Sequence, residues 1–223
     1  GPNEPAPSGC DSTCGSTLAD DECGVCGGDG TSCLASLTLG AFDSSGSLEV
    51  LYDFGGPVAG FQFDVTGLAL TGASGGAASD AGLTVSIGGE TVLGFSFDNS
   101  EIAAGSGVLT VLSFSDVTAG TTELSFYDSS LGSDGAITDA SGNIYDASAS
   151  GSVDHGDPDC AGDYYGDAVV DCAGDCGGDA AEDDCGVCNG GNADDLGCGC
   201  FEDGPSGCDN ECGSTLEFDD CGV

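Results

Sequence analysis

Fifteen cysteines and 40 Asp plus Glu carry whatever chemistry this 223-residue chain can do, because it has one histidine and neither lysine nor arginine. Two pairs, Cys23 with Cys26 and Cys185 with Cys188, stand in CGVC, a spacing shared by zinc sites, redox centres and structural cystines. A redox thiolate needs a helix N-terminus or a cation beside it, and these pairs lie in Gly-rich sequence among carboxylates that disfavour one. Zinc would need two such pairs brought together, in competition with oxidation. The twelve residues Cys10, Cys14, Cys23, Cys26, Cys33, Cys160, Cys172, Cys176, Cys185, Cys188, Cys198 and Cys200 are therefore expected as disulfides, in a connectivity that the sequence does not reveal. Fifteen cysteines in such a chain point to an extracellular or cell-surface home.

The carboxylates have their own pattern. Asp159, Asp163, Asp167, Asp171, Asp175, Asp179 and Asp183 recur at an unbroken spacing of four. A helix would stack these like charges on one face, and the intervening glycines disfavour a helix, so the segment reads as loops. Two readings follow. Asp163, Asp167, Asp171, Asp175, Asp179 and Asp183 supply an oxygen-rich calcium shell, or they are solvated turn residues without a fixed ion; no 12-residue EF-hand loop with its terminal Glu is present. A second group, Asp134, Asp139, Asn143 and Asp146, reads as a plain turn slightly sooner than as another calcium site.

A formal charge of −40 removes whole classes of function. With no cation to meet phosphates, nucleic acid is excluded as a partner, and an anionic bilayer repels the chain. No apolar run is long enough to span a membrane. Self-repulsion on this scale calls for condensed cations, with calcium the first candidate cofactor. Catalysis has little material. His155 stands in VDHGDPDC just before a glycine and a proline, nothing basic can orient an anion, and Trp is absent, so a paired-carboxylate glycosidase lacks its usual sugar platform. The expectation is that the protein is not an enzyme. No Asn-x-Ser/Thr acceptor is present.

These residues must be held by something, and composition shows where. Leu34 to Asp159 holds no cysteine and most of the large apolar residues. The expected division is a cysteine-rich connector over 1–35, a β-sandwich over 36–153, a cysteine- and aspartate-rich repeat connector over 154–207, and the start of a further repeat copy over 208–223. The last segment carries the strongest internal signal. Residues 206–223, SGCDNECGSTLEFDDCGV, match residues 8–25, SGCDSTCGSTLADDECGV, at 13 of 18 positions without gaps, at an offset of 198. One period, 10–207, holds the twelve cysteines above, and Cys208, Cys212 and Cys221 open the next. With no initiator Met or signal peptide, the chain is expected to be a processed product or a segment of something longer. Within 154–207 a shorter repeat begins at Asp159, Asp171 and Asp184, with Cys160, Cys172, Cys185 and Cys198 spaced by 12, 13 and 13 residues.

The middle piece alternates apolar and polar residues in LEVLYDF (48–54), VAGFQFDV (58–65), LTVSI (83–87), TVLGFSF (91–97), VLTVLSFS (108–115) and TELSFYD (122–128). Strands at this spacing predict a mainly β, jelly-roll-like two-sheet sandwich flanked by disulfide-rich, loop-dominated repeats. Its expected core is Leu51, Phe61, Phe63, Val65, Val85, Leu93, Phe95, Phe97, Leu109, Val111, Leu112, Phe114, Leu124 and Phe126. The succession of GFQFDV, TVLGFSF, IAAGSGVLTVLSF (102–114) and a late LSFYDSS resembles the cohesin and carbohydrate-binding-module type of jelly roll. The flanks, DDECGVCGGDGTSC (20–33) and DDCGVCNGGN, resemble cysteine and aspartate repeats of large secreted proteins, some akin to thrombospondin calcium-binding repeats, without the regular Asp-alternating loop of the latter. Two functions are expected from this. The first is a structural subunit of an extracellular filament, sheath or surface fibre, whose partners are further copies of itself. The alternative is a cohesin-like or glycan-binding adhesion module of a secreted scaffold.

Overall fold

The computed structural model describes residues 7–21, 23–126 and 137–218 and divides the chain into two compact units, Gly1–Asp157 and Pro158–Val223. The first unit holds both the N-terminal cysteine segment and the sandwich. A small hairpin opens it, β1 (Pro7–Ser8) against β2 (Thr13–Cys14). The sandwich follows. One sheet runs β12 (Asp146–Ser150), β3 (Leu34–Asp43), β4 (Ser47–Phe54), β9 (Gly105–Val117), β6 (Leu68–Ser74). The other runs β13 (Ser152–Asp154), β10 (Thr121–Ser125), β5 (Gly60–Thr66), β8 (Thr91–Phe95), β7 (Thr84–Gly88), with β11 (Ile137–Thr138) also on β5. Every pairing is antiparallel except β12 with β3. The five-residue helix α1 (Gly76–Asp80) is a short connection between the sheets. The molecule is thus mainly β, as its alternation predicts.

Alternation fails to predict one phase. In TVLGFSF the buried positions are Val92 and Gly94, while Leu93 is 40% exposed and Phe97, beyond the strand, 83% exposed. The sequence favours the wrong phase because Leu93, Phe95 and Phe97 outweigh Val92 and Gly94 in apolar bulk. The fold inverts it because the Phe61 ring from β5 lies over Gly94, where an added Cβ would strike the ring. Glycine at this position leaves the space that phenylalanine fills. Leu51, Val85, Phe95, Val111 and Phe126 are likewise only half-buried. The fully enclosed residues include Leu37, Leu48, Val50, Phe54, Val58, Phe63, Val92 and Leu109, four of them in β3 and β4. Leu109 is the extra residue of a bulge in β9, where Val50 faces Thr110 and Leu51 faces Val108, so Leu109 and Thr110 are buried in succession.

His155 completes the first unit. It is 7% exposed, its Nε2 lies 2.8 Å from Thr122 Oγ1 and its ring stacks obliquely at 4.9 Å on Phe42. Its backbone N–H donates to Gly120 O. Burial holds the imidazole below the ordinary histidine range, against the opposing pull of Asp154. Expected in a linker, the residue is instead a plug at the end of the sandwich.

Candidate functional site

The cysteine and aspartate segments are built from one turn, used four times. In each, an aspartate at a first position accepts three backbone N–H groups, from the residues two, four and nine further on. Asp21 takes Cys23 and Val25 on Oδ1 and Gly30 on Oδ2. Asp159 takes Ala161, Asp163 and Ala168. Asp171 takes Ala173, Asp175 and Ala180, and Asp183 takes Cys185, Val187 and Asn192. All twelve bonds lie between 2.8 and 3.0 Å. Buried or half-buried backbone donors need such partners where there is no ladder to supply them.

Glycine fits this turn at two places for two reasons. Three residues after the aspartate, Gly24, Gly162, Gly174 and Gly186 have φ between 73° and 95°. Seven residues after it, a Cβ on Gly28, Gly166, Gly178 or Gly190 would collide with the carboxylate Oδ2. Accepting backbone N–H bonds holds each of the four aspartates below the ordinary carboxylate range, the largest cause being Val25 for Asp21, Asp163 for Asp159, Asp175 for Asp171 and Val187 for Asp183. Asp139 builds a similar loop with Ser141 and Asn143, and Asp195 one with Gly197 and Gly199.

Cystines tie successive turns together. Cys160 pairs with Cys176 and Cys172 with Cys188, each joining the second position of one turn to the sixth position of the next. Cys10–Cys26, Cys23–Cys33, Cys185–Cys200 and Cys198–Cys212 complete the set. Eleven of the twelve cysteines expected as disulfides are bonded. Cys14 is the exception: it is exposed and has no partner among the described residues, as is also true of Cys208. The expectation that 10–207 would close on itself is corrected too, since Cys198 reaches Cys212 beyond it. Cys221 lies outside the described residues.

The period of four dissolves in this geometry. Asp171 and Asp183 are half-buried and spend both oxygens on backbone donors, while Asp163, Asp167, Asp175 and Asp179 are exposed. No three of the six aspartates bring ligand oxygens within 4.8 Å of one another. The group among the described residues that does converge so closely is Cys10, Asp20 and Cys26, two of which are bonded to each other. The six carboxylates are thus spread along successive turns rather than gathered at one point. In the sequence-predicted second group, Asp139 is occupied by its own loop, Asp146 begins β12 and Asp134 lies outside the described residues. What the sequence reading missed is Asp21, whose turn repeats that of Asp159 in spite of different neighbours; the signal was the shared D-x-x-G-x-x-x-G.

A cleft of about 540 Å³ opens beside β12, lined by Thr31, Leu34, Asp53, Gly55, Asp146 and Ser148 among others. Its lining mixes the two carboxylates and the hydroxyls with Leu34, Ala35 and Ala147.

No known protein family matches the sequence, and no curated protein does. Among solved structures the chain is similar to a non-cellulosomal cohesin from the hyperthermophilic archaeon Archaeoglobus fulgidus, at 16% identity over 53% of this chain and 88% of that one, with a TM-score of 0.38. It is also similar to a type III cohesin module from the cellulosomal ScaE cell-surface anchoring scaffoldin of Ruminococcus flavefaciens, at 13% identity over 54% and 86%, with a TM-score of 0.36. The class is that of a mainly β, two-sheet protein with cystine-braced loop repeats. Among the described residues no helix is long and apolar enough to cross a membrane.

Proposed function

We propose that the chain is a structural subunit of an extracellular filament, sheath or surface fibre made of repeated copies of this unit. The observation that carries the reading is the succession of aspartate-centred turns stapled one to the next by Cys160–Cys176 and Cys172–Cys188. Such bracing stiffens a connector. Contacts between copies fall to the sandwich, where 14 acidic residues are spread over 118 positions, against 15 over the 54 positions of 154–207. The outer strands β12, β6, β13 and β7 supply backbone groups for pairing at the sheet ends. Calcium enters as a counter-ion at the exposed carboxylates of Asp163, Asp167, Asp175 and Asp179, relieving repulsion between connectors. Imaging of native material tests the proposal: regular filaments with one sandwich per repeat support it, and discrete monomers refute it.

A second reading is a cohesin-like or glycan-binding adhesion module, and the cleft between Asp53 and Asp146 is the feature that favours it. Binding of the monomer to a glycan array or to a small partner domain, lost on substitution of Asp53 by Ala, would support that reading over the first.

A further inference from the structure

The two cysteines unpartnered among the described residues stand in two copies of one hairpin, and the copies share their turns; the first extends to Pro7 against Cys14, while the second is the single bridge Ser206 with Glu211. Ser8 faces Thr13 in the first and Ser206 faces Glu211 in the second, 198 residues on in both members. The amide of Cys10 donates to Leu18 O at 2.9 Å and that of Cys208 to Leu216 O at 3.0 Å. Ser12 donates to Gly9 O and Asn210 to Gly207 O, with positive φ of 53° at Ser12 and 59° at Asn210. The hydroxyls of Ser16 and Ser214 accept from Leu18 and Leu216. Residues 8–20 and 206–218, identical at nine of 13 positions, thus share these turns and hydrogen bonds.

The cystines differ. In the first hairpin Cys10 is bonded forward, to Cys26, and Cys14 is unbonded; in the second, Cys212 is bonded backward, to Cys198, and Cys208 is unbonded. Cys14 corresponds to Cys212 and Cys208 to Cys10. Each hairpin shows the half of the pattern that the other lacks. Both cystines span ordinary Cα separations, 5.3 Å for Cys10–Cys26 and 5.4 Å for Cys198–Cys212.

We infer that the hairpin is a covalent splice between successive copies of the repeat: Cys14 takes the place that Cys212 has here and is bonded to the Cys198-type cysteine of the copy before it, and Cys208 takes the place of Cys10 and is bonded to the Cys26-type cysteine of the copy after it. The inference rests on the reading of the chain as a repeated structural unit. Each bond forms by thiol–disulfide exchange. One thiolate attacks a disulfide oxidant, such as an oxidised dithiol protein or a small-molecule disulfide, and releases one of its sulfurs as a thiolate. The second cysteine, as thiolate, then attacks the mixed disulfide, closing the new S–S bond and releasing the other sulfur. Two protons leave the cysteines, and two electrons pass to the oxidant, which departs as the dithiol. The resulting array is continuous in cystines as well as in hydrogen bonds.

Native material, alkylated without reduction and digested with pepsin, tests this. Pepsin is required because trypsin has no Lys or Arg to cut after, and its acid medium keeps thiols protonated so that bonds do not exchange. The peptide around Cys14 reads CDSTCGSTLA and that around Cys212 reads CDNECGSTLE, so their masses distinguish them. The expected result is a Cys14 peptide joined to a peptide of the LGCGC type, in a cluster that also holds the Cys26 and Cys185 peptides through Cys10 and Cys200 and that separates completely into its single peptides on reduction. Alkylated Cys14, or Cys14 joined to Cys208 of the same chain, overturns the inference. A second arm uses Cys212→Ser, which frees Cys198 to accept Cys14 of another molecule. Under oxidising conditions this variant is expected to give a ladder of disulfide-linked oligomers that Cys14→Ser/Cys212→Ser does not give, and equal ladders from both overturn it. Failure here is separable from failure of the structural reading: filaments that contain alkylated Cys14 would refute the splice alone, whereas discrete monomers on imaging would refute the filament.

Discussion

The carboxylate of Asp171 reaches nine residues along the chain to the backbone amide of Ala180, 3.0 Å away, while its other oxygen accepts from Ala173 and Asp175. One side chain thereby replaces the ladder that a strand or helix would have supplied to these amides. Because Cys172 leads to the next turn through Cys188, the position of that turn depends on the one before it. Acidity in the connector is in this sense structural at every twelfth residue and solvated between.

Asp171→Ala removes both acceptor oxygens and with them all three bonds, and Asp171→Asn removes the negative charge and one acceptor oxygen. Amide exchange at Ala173, Asp175 and Ala180 is expected to quicken several-fold to about tenfold in the alanine variant, less in the asparagine variant, with the sandwich unchanged. Asp175→Ala, at an exposed side chain, is the control and is expected to leave those amides as they were. Gly178→Ala should loosen the same turn while keeping the carboxylate, because the new Cβ takes the place of Oδ2. Equal effects of Asp171→Ala and Asp175→Ala would mean that the turn does not depend on its first carboxylate.

Proton linkage follows from the same bonds. Asp21, Asp159, Asp171 and Asp183 titrate below their unfolded values, so their contribution to stability is complete above the ordinary carboxylate range and is lost as pH falls through the lowered folded values. Carboxyl chemical shifts should show each of these four changing below the ordinary carboxylate range as acid is added. Titration of the four within that ordinary range would contradict the hydrogen bonding described for them.

The phase of β8 can be tested by stability. Gly94→Ala pushes a methyl group into the Phe61 ring and is expected to cost about 1–3 kcal/mol, the usual range for overpacking. Leu93→Ala, on the more exposed face, is expected to cost under about 1 kcal/mol. Denaturant unfolding of the sandwich measures both, and a larger loss at Leu93 would restore the phase that the sequence suggests.

How far the sequence carries depends on what each pattern encodes. The six alternating segments all fall on strands, because alternation reports burial on one side directly. Strands β3 and β6 escaped it: in LASLTLGAFD and LALTGAS the polar positions are Ser, Thr, Gly and Ala, too small and too mild for the period to stand out. The aspartates posed the opposite difficulty. Their spacing of four was conspicuous, but spacing does not say whether an oxygen meets a cation, water or the backbone, and here the deciding partners are N–H groups that every sequence has. Cys14 was expected in a cystine on the even count of its repeat, a count that the Cys198–Cys212 bond breaks.

Divalent cations are expected to act on the connector by screening. If they condense at the exposed carboxylates, a chelator should expand the connector at low ionic strength, and monovalent salt at a few tenths molar should reverse most of the expansion, since the Debye length is then under about 8 Å. Small-angle scattering under the four combinations of chelator and salt is the measurement. Collapse restored by calcium alone, in stoichiometric amounts and regardless of salt, would instead indicate a site with a fixed shell.

Reduction should separate the two kinds of stability in the molecule. All six cystines lie outside residues 34–157, so none constrains the sandwich, whose strands bury Leu37, Leu48, Val50, Phe63 and Val92 without them. The connectors bury almost nothing: Val169, Val170, Leu196 and Phe201 are all exposed. Their cystines close loops of 10 to 16 residues, each worth about 3 kcal/mol through the entropy it removes from the open chain. With such small apolar burial, loss of those constraints leaves carboxylate-to-amide bonds in water to oppose both chain entropy and charge repulsion, and they are too weak individually to do so. A reductant is therefore expected to abolish amide protection across 159–212 while the β signal and unfolding midpoint of the sandwich persist. Loss of the sandwich on reduction alone would show that its stability is borrowed from the cystines at its flanks.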